Sequence, residues 1–97
     1  MKTLTMDEWR AEGERLFGPD ARHWKFKCVR CGHVQTWQDF KEAGLADAEN
    51  YMYYSCLGRW VKGRGCDWTL GGLFRIHTQE VITEDGHTIP TFEFANL

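Results

Sequence analysis

The sequence predicts an α+β fold: a small antiparallel, zinc-ribbon-like sheet with an N-terminal helix, a second short helix and a C-terminal β-hairpin. Three observations predict it. Four cysteines fall into two separated pairs, Cys28/Cys31 and Cys56/Cys66. Two Thr-x-x-acid steps, Thr5 to Glu8 and Thr36 to Asp39, have the form of helix-opening capping boxes. Asp85-Gly86 lies between two β-branched runs, the short-range signal of a hairpin. A chain of 97 residues has room for one hydrophobic core. Residues 1–97 are therefore expected to form a single domain, with the first helix in 1–20, a metal-binding core in 23–76 and a hairpin and tail in 77–97.

In the first helix Thr5 is the N-cap and Glu8 the N3 residue, with Leu4 and Trp9 at the positions of a hydrophobic staple. Met6, Trp9, Gly13, Leu16 and Phe17 mark its core-facing side, and Gly18-Pro19 stops it. Trp24, Phe26 and Cys28 alternate with Lys25 and Lys27, which predicts a strand over 23–28. Val34 continues as a return strand. Thr36 caps the second helix, whose Trp37, Phe40 and Ala43 share a face and which ends at Gly44. After an acidic connection from Leu45 to Asn50, Tyr51–Leu57 reads as a strand leading into the second cysteine pair. Trp68–Leu70 and Leu73–Ile76 read as strand pieces broken by Gly71-Gly72. Val81–Thr83 and Thr88-Ile89 form the hairpin around a type I′ turn, and Thr91, Phe92 and Phe94 a last strand.

Composition narrows the function classes. Hydrophobic residues at 42% and charged residues at 27% exclude a chain disordered along its whole length. No apolar run is long enough for a membrane span, so no membrane association is expected. The N-terminal stretch lacks the apolar core of a secretory signal, which points to the cytoplasm. The net charge of −2 hides segregation: residues 21–38 carry Arg22, Lys25, Lys27 and Arg30 without an acid, whereas residues 80–97 carry four acids without a base. That pattern excludes a wholly basic nucleic-acid binder and leaves room for one basic face.

The cysteines are the most informative feature. They read C-x2-C, 24 intervening residues, then C-x9-C. Two distant thiol pairs suit a tetrahedral Zn2+ held by Cys28, Cys31, Cys56 and Cys66. In Cys28-Val29-Arg30-Cys31-Gly32, a tight turn aims both sulfurs at one ion, lets backbone N–H groups donate to them, and uses Gly32 where a Cβ is unfavourable. The longer second spacing reads as a similar turn opened by an inserted loop, with Gly58 and Gly65 freeing the backbone beside each sulfur. Two disulfides are the competing reading and need an oxidising compartment. A redox-active Cys28/Cys31 pair is a third, and a four-thiolate iron site a fourth. His33, two positions after Cys31, is either a substitute ligand or, as expected, a packing and hydrogen-bonding neighbour.

The loop between Cys56 and Cys66 carries Arg59, Trp60, Lys62 and Arg64, and the metal would bring Arg30 close to them. Cations interleaved with an aromatic residue can hold phosphate and stack a base. The plainer reading has Trp60 packed under its own loop and the cations solvated or compensating the thiolate charge. Catalysis is not expected. Four thiolates close the metal site, no deaminase signature occurs, and the acids show no paired-carboxylate pattern.

The stretches 7–18 (DEWRAEGERLFG), 26–33 (FKCVRCGH), 55–60 (SCLGRW) and 71–74 (GGLF) resemble a family of small, uncharacterised phage and prophage proteins. The resemblance covers residues 5–76. It implies an intracellular accessory protein with a zinc-ribbon-like site, and it carries over no functional residues beyond the four cysteines. The expected function is a non-enzymatic, zinc-stabilised binding module acting on a host or phage protein, with aromatic residues as interface anchors. The alternative is a nucleic-acid-binding module using Arg30, Arg59, Trp60, Lys62 and Arg64, and the third reading is a thiol redox role.

Overall fold

The capping signals act as the sequence predicts in the computed structural model, which describes residues 1–70 and 77–95. Helix α1 spans Met6–Phe17. Thr5 Oγ1 accepts from the Glu8 N–H at 3.2 Å, and the Glu8 carboxylate accepts from the Thr5 N–H at 2.9 Å. Gly18 ends the helix with a φ of 93°, a conformation that disfavours a side chain. The face of α1 chosen by its apolar spacing docks on Trp24: a Cβ added to Gly13 would lie 2.7 Å from the Trp24 indole. Helix α2, Trp37–Glu42, is capped in the same way by Thr36 and Asp39.

Two three-stranded sheets take the place of the expected single antiparallel sheet. In the first, β1 (Lys2–Thr5) runs parallel to β4 (Gln79–Ile82), which pairs antiparallel with β5 (Thr88–Thr91). Strand β1 has no periodic signal of its own, because Leu4 is its single apolar residue and the partner lies at the far end of the chain. The β4–β5 hairpin forms where Asp85-Gly86 places it, with a different turn. Gly86 has a φ of 86° and Asp85 does not have a positive φ, which excludes type I′. The Gly86 N–H bonds the Thr83 carbonyl at 3.0 Å and the Thr83 N–H bonds the His87 carbonyl at 2.8 Å. This is a three-residue loop closed by a left-handed glycine.

The second sheet is antiparallel, in the order β3 (Val34–Gln35), β2 (Phe26–Lys27), β6 (Glu93–Phe94). Phe26 faces Phe94 across it at 5.2 Å, and both rings join Trp9 from α1 and Trp24 in an aromatic core. The strand expected over 23–28 is shorter than its alternation suggests. Asp20 caps a 3-10 turn at Ala21–His23, so only Phe26 and Lys27 pair.

The strand expected over Tyr51–Leu57 is absent. A 3-10 turn at Ala48–Asn50 leads into further turns, with the Ser55 N–H bonded to the Tyr51 carbonyl at 2.8 Å. The buried residues are Met52, Ser55, Cys56 and Leu57, a set that places Met52, Ser55 and Cys56 at i, i+3, i+4 and breaks the alternation read from the tyrosines. Ser55 alone bridges to Thr69 as in a sheet. Of the pieces expected over 68–76, Thr69 lies in that bridge, while Gly71-Gly72 and Leu73–Ile76 lie outside the described residues. No helix among the described residues is long and apolar enough to cross a membrane.

Candidate metal centre

The first pair of sulfurs is set by a turn between β2 and β3. The Cys28 N–H bonds the His33 carbonyl at 2.9 Å and the Gly32 N–H bonds the Cys28 carbonyl at 3.0 Å. Gly32 has a φ of 77°, so the turn closes where only glycine is comfortable. The second pair is set by packing. From Cys56 the chain makes a 3-10 turn at Leu57–Arg59 with Leu57 fully buried, loops outward, and returns to lay Gly65 and Cys66 against Gly58. A Cβ on Gly58 would collide with the Cys66 backbone, and one on Gly65 would lie 2.5 Å from Cys56 Sγ.

These two arrangements bring Cys28, Cys31, Cys56 and Cys66 together, with all four sulfurs within 4.8 Å of one another. Cys28 and Cys66 sulfurs are 3.8 Å apart, and Cys31 and Cys56 sulfurs 3.7 Å. A sulfur tetrahedron around zinc, with Zn–S bonds of about 2.3 Å, has edges of about 3.8 Å. A disulfide needs about 2.05 Å, and all four cysteines are free in this structure. The donor set therefore fits a tetrahedral, thiolate-bound cation.

The backbone is arranged for negative sulfur. The main-chain N–H groups of Cys31 and Arg30 favour a thiolate at Cys28, that of His33 at Cys31, and that of Trp68 at Cys66. Cys56 Sγ accepts from the Cys66 N–H at 3.2 Å. Donors without a cation are insufficient at the buried positions. Burial pushes the Cys28 thiol up to about 12 despite its two N–H partners, and burial raises Cys66 as well. At Cys31 burial also opposes ionisation, but the His33 N–H and the neighbouring sulfurs outweigh it and hold the thiol below its usual value. A divalent ion removes this penalty by neutralising part of the thiolate charge.

A model of the VVA0879-like family matches residues 5–95. The chain belongs to that family. The match runs through the C-terminal hairpin and thus beyond the resemblance read from residues 5–76. No curated protein and no solved structure matches the chain.

The structure divides the five residues expected to form a basic patch on this VVA0879-like protein. Arg30 reaches Asp67 Oδ1 at 3.4 Å and lies over the Trp68 ring, 5.2 Å from its centroid. Arg59 donates to the Asp67 carbonyl at 2.9 Å and covers the Trp60 ring at 5.8 Å. Arg64 turns away to Asp39 of α2, at 3.3 Å. Lys62 makes no ion pair among the described residues. Trp60 leans on Tyr51 and Phe40, with centroids at 5.0 and 5.7 Å, yet remains 39% exposed. It is thus anchored by one side and presented by the other. His33 is outside the sulfur cluster and serves it through its main chain.

Two contributors carry no chemical signature in the sequence. Asp67 gathers Arg30 and Arg59 between the cysteine pairs. Gln35, fully buried in β3, reaches across to the segment that contains Cys56. A glutamine beside Val34 in a short strand reads as a solvent-facing polar residue until its partners are known.

Proposed function

We propose that this chain is a non-enzymatic binding module in which Zn2+ on Cys28, Cys31, Cys56 and Cys66 clamps the fold and the surface around Trp60 docks on a protein. The observation that carries this reading is the sulfur geometry: all four sulfurs lie within 4.8 Å of one another, and two of their separations, 3.7 and 3.8 Å, match the edge of a tetrahedral zinc site. Four protein ligands leave no position for substrate or activated water, which supports a structural rather than catalytic ion. Zinc is preferred over iron because no surrounding feature calls for electron transfer. Cytoplasmic action in a host cell, as a phage or prophage accessory protein, rests on the resemblance described above and on thiols suited to a reducing compartment.

Charge favours protein over nucleic acid as the partner. Arg30 and Arg64 are engaged by acids, Arg59 is held by a carbonyl, and a zinc ion with four thiolates adds a charge of −2 beside them. A phosphate backbone would meet few uncompensated cations there, whereas the half-exposed Trp60 suits an interface anchor. Native mass spectrometry with elemental analysis tests the clamp. One zinc per chain, with all four thiols resistant to alkylation until chelation, is expected; thiols that alkylate freely in metal-replete protein would overturn it. For the partner, recovery of the same bound proteins by wild type and by a Trp60→Ala, Arg59→Ala variant removes this surface from the interface. Salt-sensitive binding to DNA or RNA would replace the protein reading.

A further inference from the structure

We propose that Gln35 is the positioning residue of the metal centre: its side-chain amide ties the first cysteine turn to the segment carrying Cys56 and sets that sulfur before the ion arrives. This rests on the metal-clamp reading and adds to it the device that brings two distant thiol pairs into register.

The geometry is specific. Gln35 Nε2 donates to the Met52 carbonyl at 2.9 Å and to the Ser55 carbonyl at 2.7 Å. Its Oε1 accepts from the Leu57 N–H at 2.9 Å. Both donors of the amide are used, and the three bonds fall on residues on either side of Cys56. The segment they hold is not a strand, so no sheet ladder would otherwise satisfy those backbone groups. At its other end, Gln35 sits in β3, whose pairing with β2 closes the turn of Cys28 and Cys31. One side chain therefore spans the two halves of the site.

Burial makes the arrangement selective. Gln35 has no exposed surface, so an altered register would strand a polar amide and three backbone groups without water. Groups that orient metal ligands without touching the ion typically change metal affinity 10- to 100-fold when removed. The molecule supplies its own control. Gln79 is equally buried, and its Nε2 donates to Thr91 Oγ1 at 3.0 Å and to the Phe92 carbonyl at 3.3 Å. Those bonds reach Thr91 in β5 and Phe92 just after it, and neither flanks a cysteine.

The test compares Gln35→Met and Gln79→Met, both near-isosteric and both without amide bonds. Zn2+ affinity is measured on the full chain by competition with a chromophoric chelator, and the thiolate-to-metal absorption of the Co2+-loaded protein is recorded alongside. Gln35→Met is expected to bind zinc about 10- to 100-fold more weakly than wild type, with altered cobalt absorption, while Gln79→Met stays within about threefold. Equal losses in the two variants, or an unchanged Gln35→Met, overturn the proposal. Should Gln35→Met fail to fold, hydrogen exchange at the Leu57 N–H of metal-free wild type decides. Protection there before zinc is added supports preorganisation, and exchange as fast as in an unfolded chain overturns it. Wild type that binds neither Zn2+ nor Co2+ overturns the clamp reading itself, an outcome distinct from wild type that binds tightly and a Gln35 variant that binds equally well.

Discussion

Cys28 and Cys31 share a turn that closes on its own main chain, through the bond from the Cys28 N–H to the His33 carbonyl and the left-handed Gly32. Cys56 and Cys66 have no such turn. Their approach depends on Leu57 buried in the core, on Gly58 and Gly65 in close contact, on the Ser55–Thr69 bridge and on Gln35 from another strand. The first half of the site is a local property of six residues, and the second is a property of the folded chain. The ion reads out whether the second has been delivered to the first.

The largest expected effect is loss of the ion that joins them. A four-thiolate zinc site contributes on the order of 10 kcal/mol to folding, comparable with the whole stability of a small domain. Chelation, Cys28→Ser and Cys66→Ser are each expected to lower the thermal unfolding transition seen by circular dichroism greatly, while at low temperature the metal-free chain keeps the residual core in which Gln35 holds the Leu57 N–H. A melting temperature that is the same with and without chelator would mean that the core holds both halves in place alone.

The next effect separates the halves. A Cβ at Gly58 meets the Cys66 backbone, whereas one at Gly32 meets nothing within 4 Å and suffers only from its φ of 77°. Gly58→Ala is expected to cost about 3 kcal/mol or more through overpacking, and Gly32→Ala about 1–2 kcal/mol through backbone strain. Denaturant unfolding of the zinc-loaded variants measures both. A reversed order would make the local turn the more demanding half.

Proton release follows from the thiols. In the metal-free protein Cys28 is raised to about 12 and Cys66 is raised too, so both are protonated at pH 7. Zinc requires them as thiolates, so binding at pH 7 should release at least two protons, as titration calorimetry in buffers of different ionisation enthalpy would show. The sign of linkage differs between the forms. In the metal-free protein, a Cys28 thiol raised above its unfolded value favours folding below about pH 9, and that contribution is lost as pH climbs towards 12. In the zinc-loaded protein the thiolates are the stabilised form, and stability is lost as pH falls.

What could be read from the sequence follows the same division between local and distant. Thr5 with Glu8, Thr36 with Asp39 and the turn of Cys28 and Cys31 each encode their structure within a few residues, and each forms, while Asp85-Gly86 marks the hairpin but not its turn type. Strand β1 and its parallel pairing with β4 are invisible locally, because the register joins Lys2 to Gln79. The tyrosines of 51–54 mimic strand alternation while the buried set, Met52, Ser55, Cys56 and Leu57, breaks it. Gln35 escapes notice because a glutamine has the same appearance in water and in a core. Its importance lies wholly in the three backbone groups that the fold places around it.

The capping threonines give a smaller effect. Thr5→Ala and Thr36→Ala each remove one partner of a reciprocal cap and are expected to cost about 1 kcal/mol. Because α2 begins directly after β3, Thr36→Ala should also weaken zinc binding slightly, and Thr5→Ala should not. Equal zinc affinity in the two variants would confine the second half's dependence on the fold to Gln35 and the glycine contacts.

The smallest effect concerns the ion pair between the halves. Arg30 follows Cys28 and Asp67 follows Cys66, so their 3.4 Å contact looks like a second clasp. Both side chains are largely solvent-exposed, at 57% and 84%, where such pairs contribute about 0–1 kcal/mol. Arg59 binds the Asp67 carbonyl and not its carboxylate, so that bond survives substitution. Asp67→Asn should therefore change stability by less than about 0.5 kcal/mol and leave zinc affinity unchanged. A loss above about 1.5 kcal/mol would show that surface charge, rather than buried hydrogen bonding and the metal, holds the two cysteine pairs together.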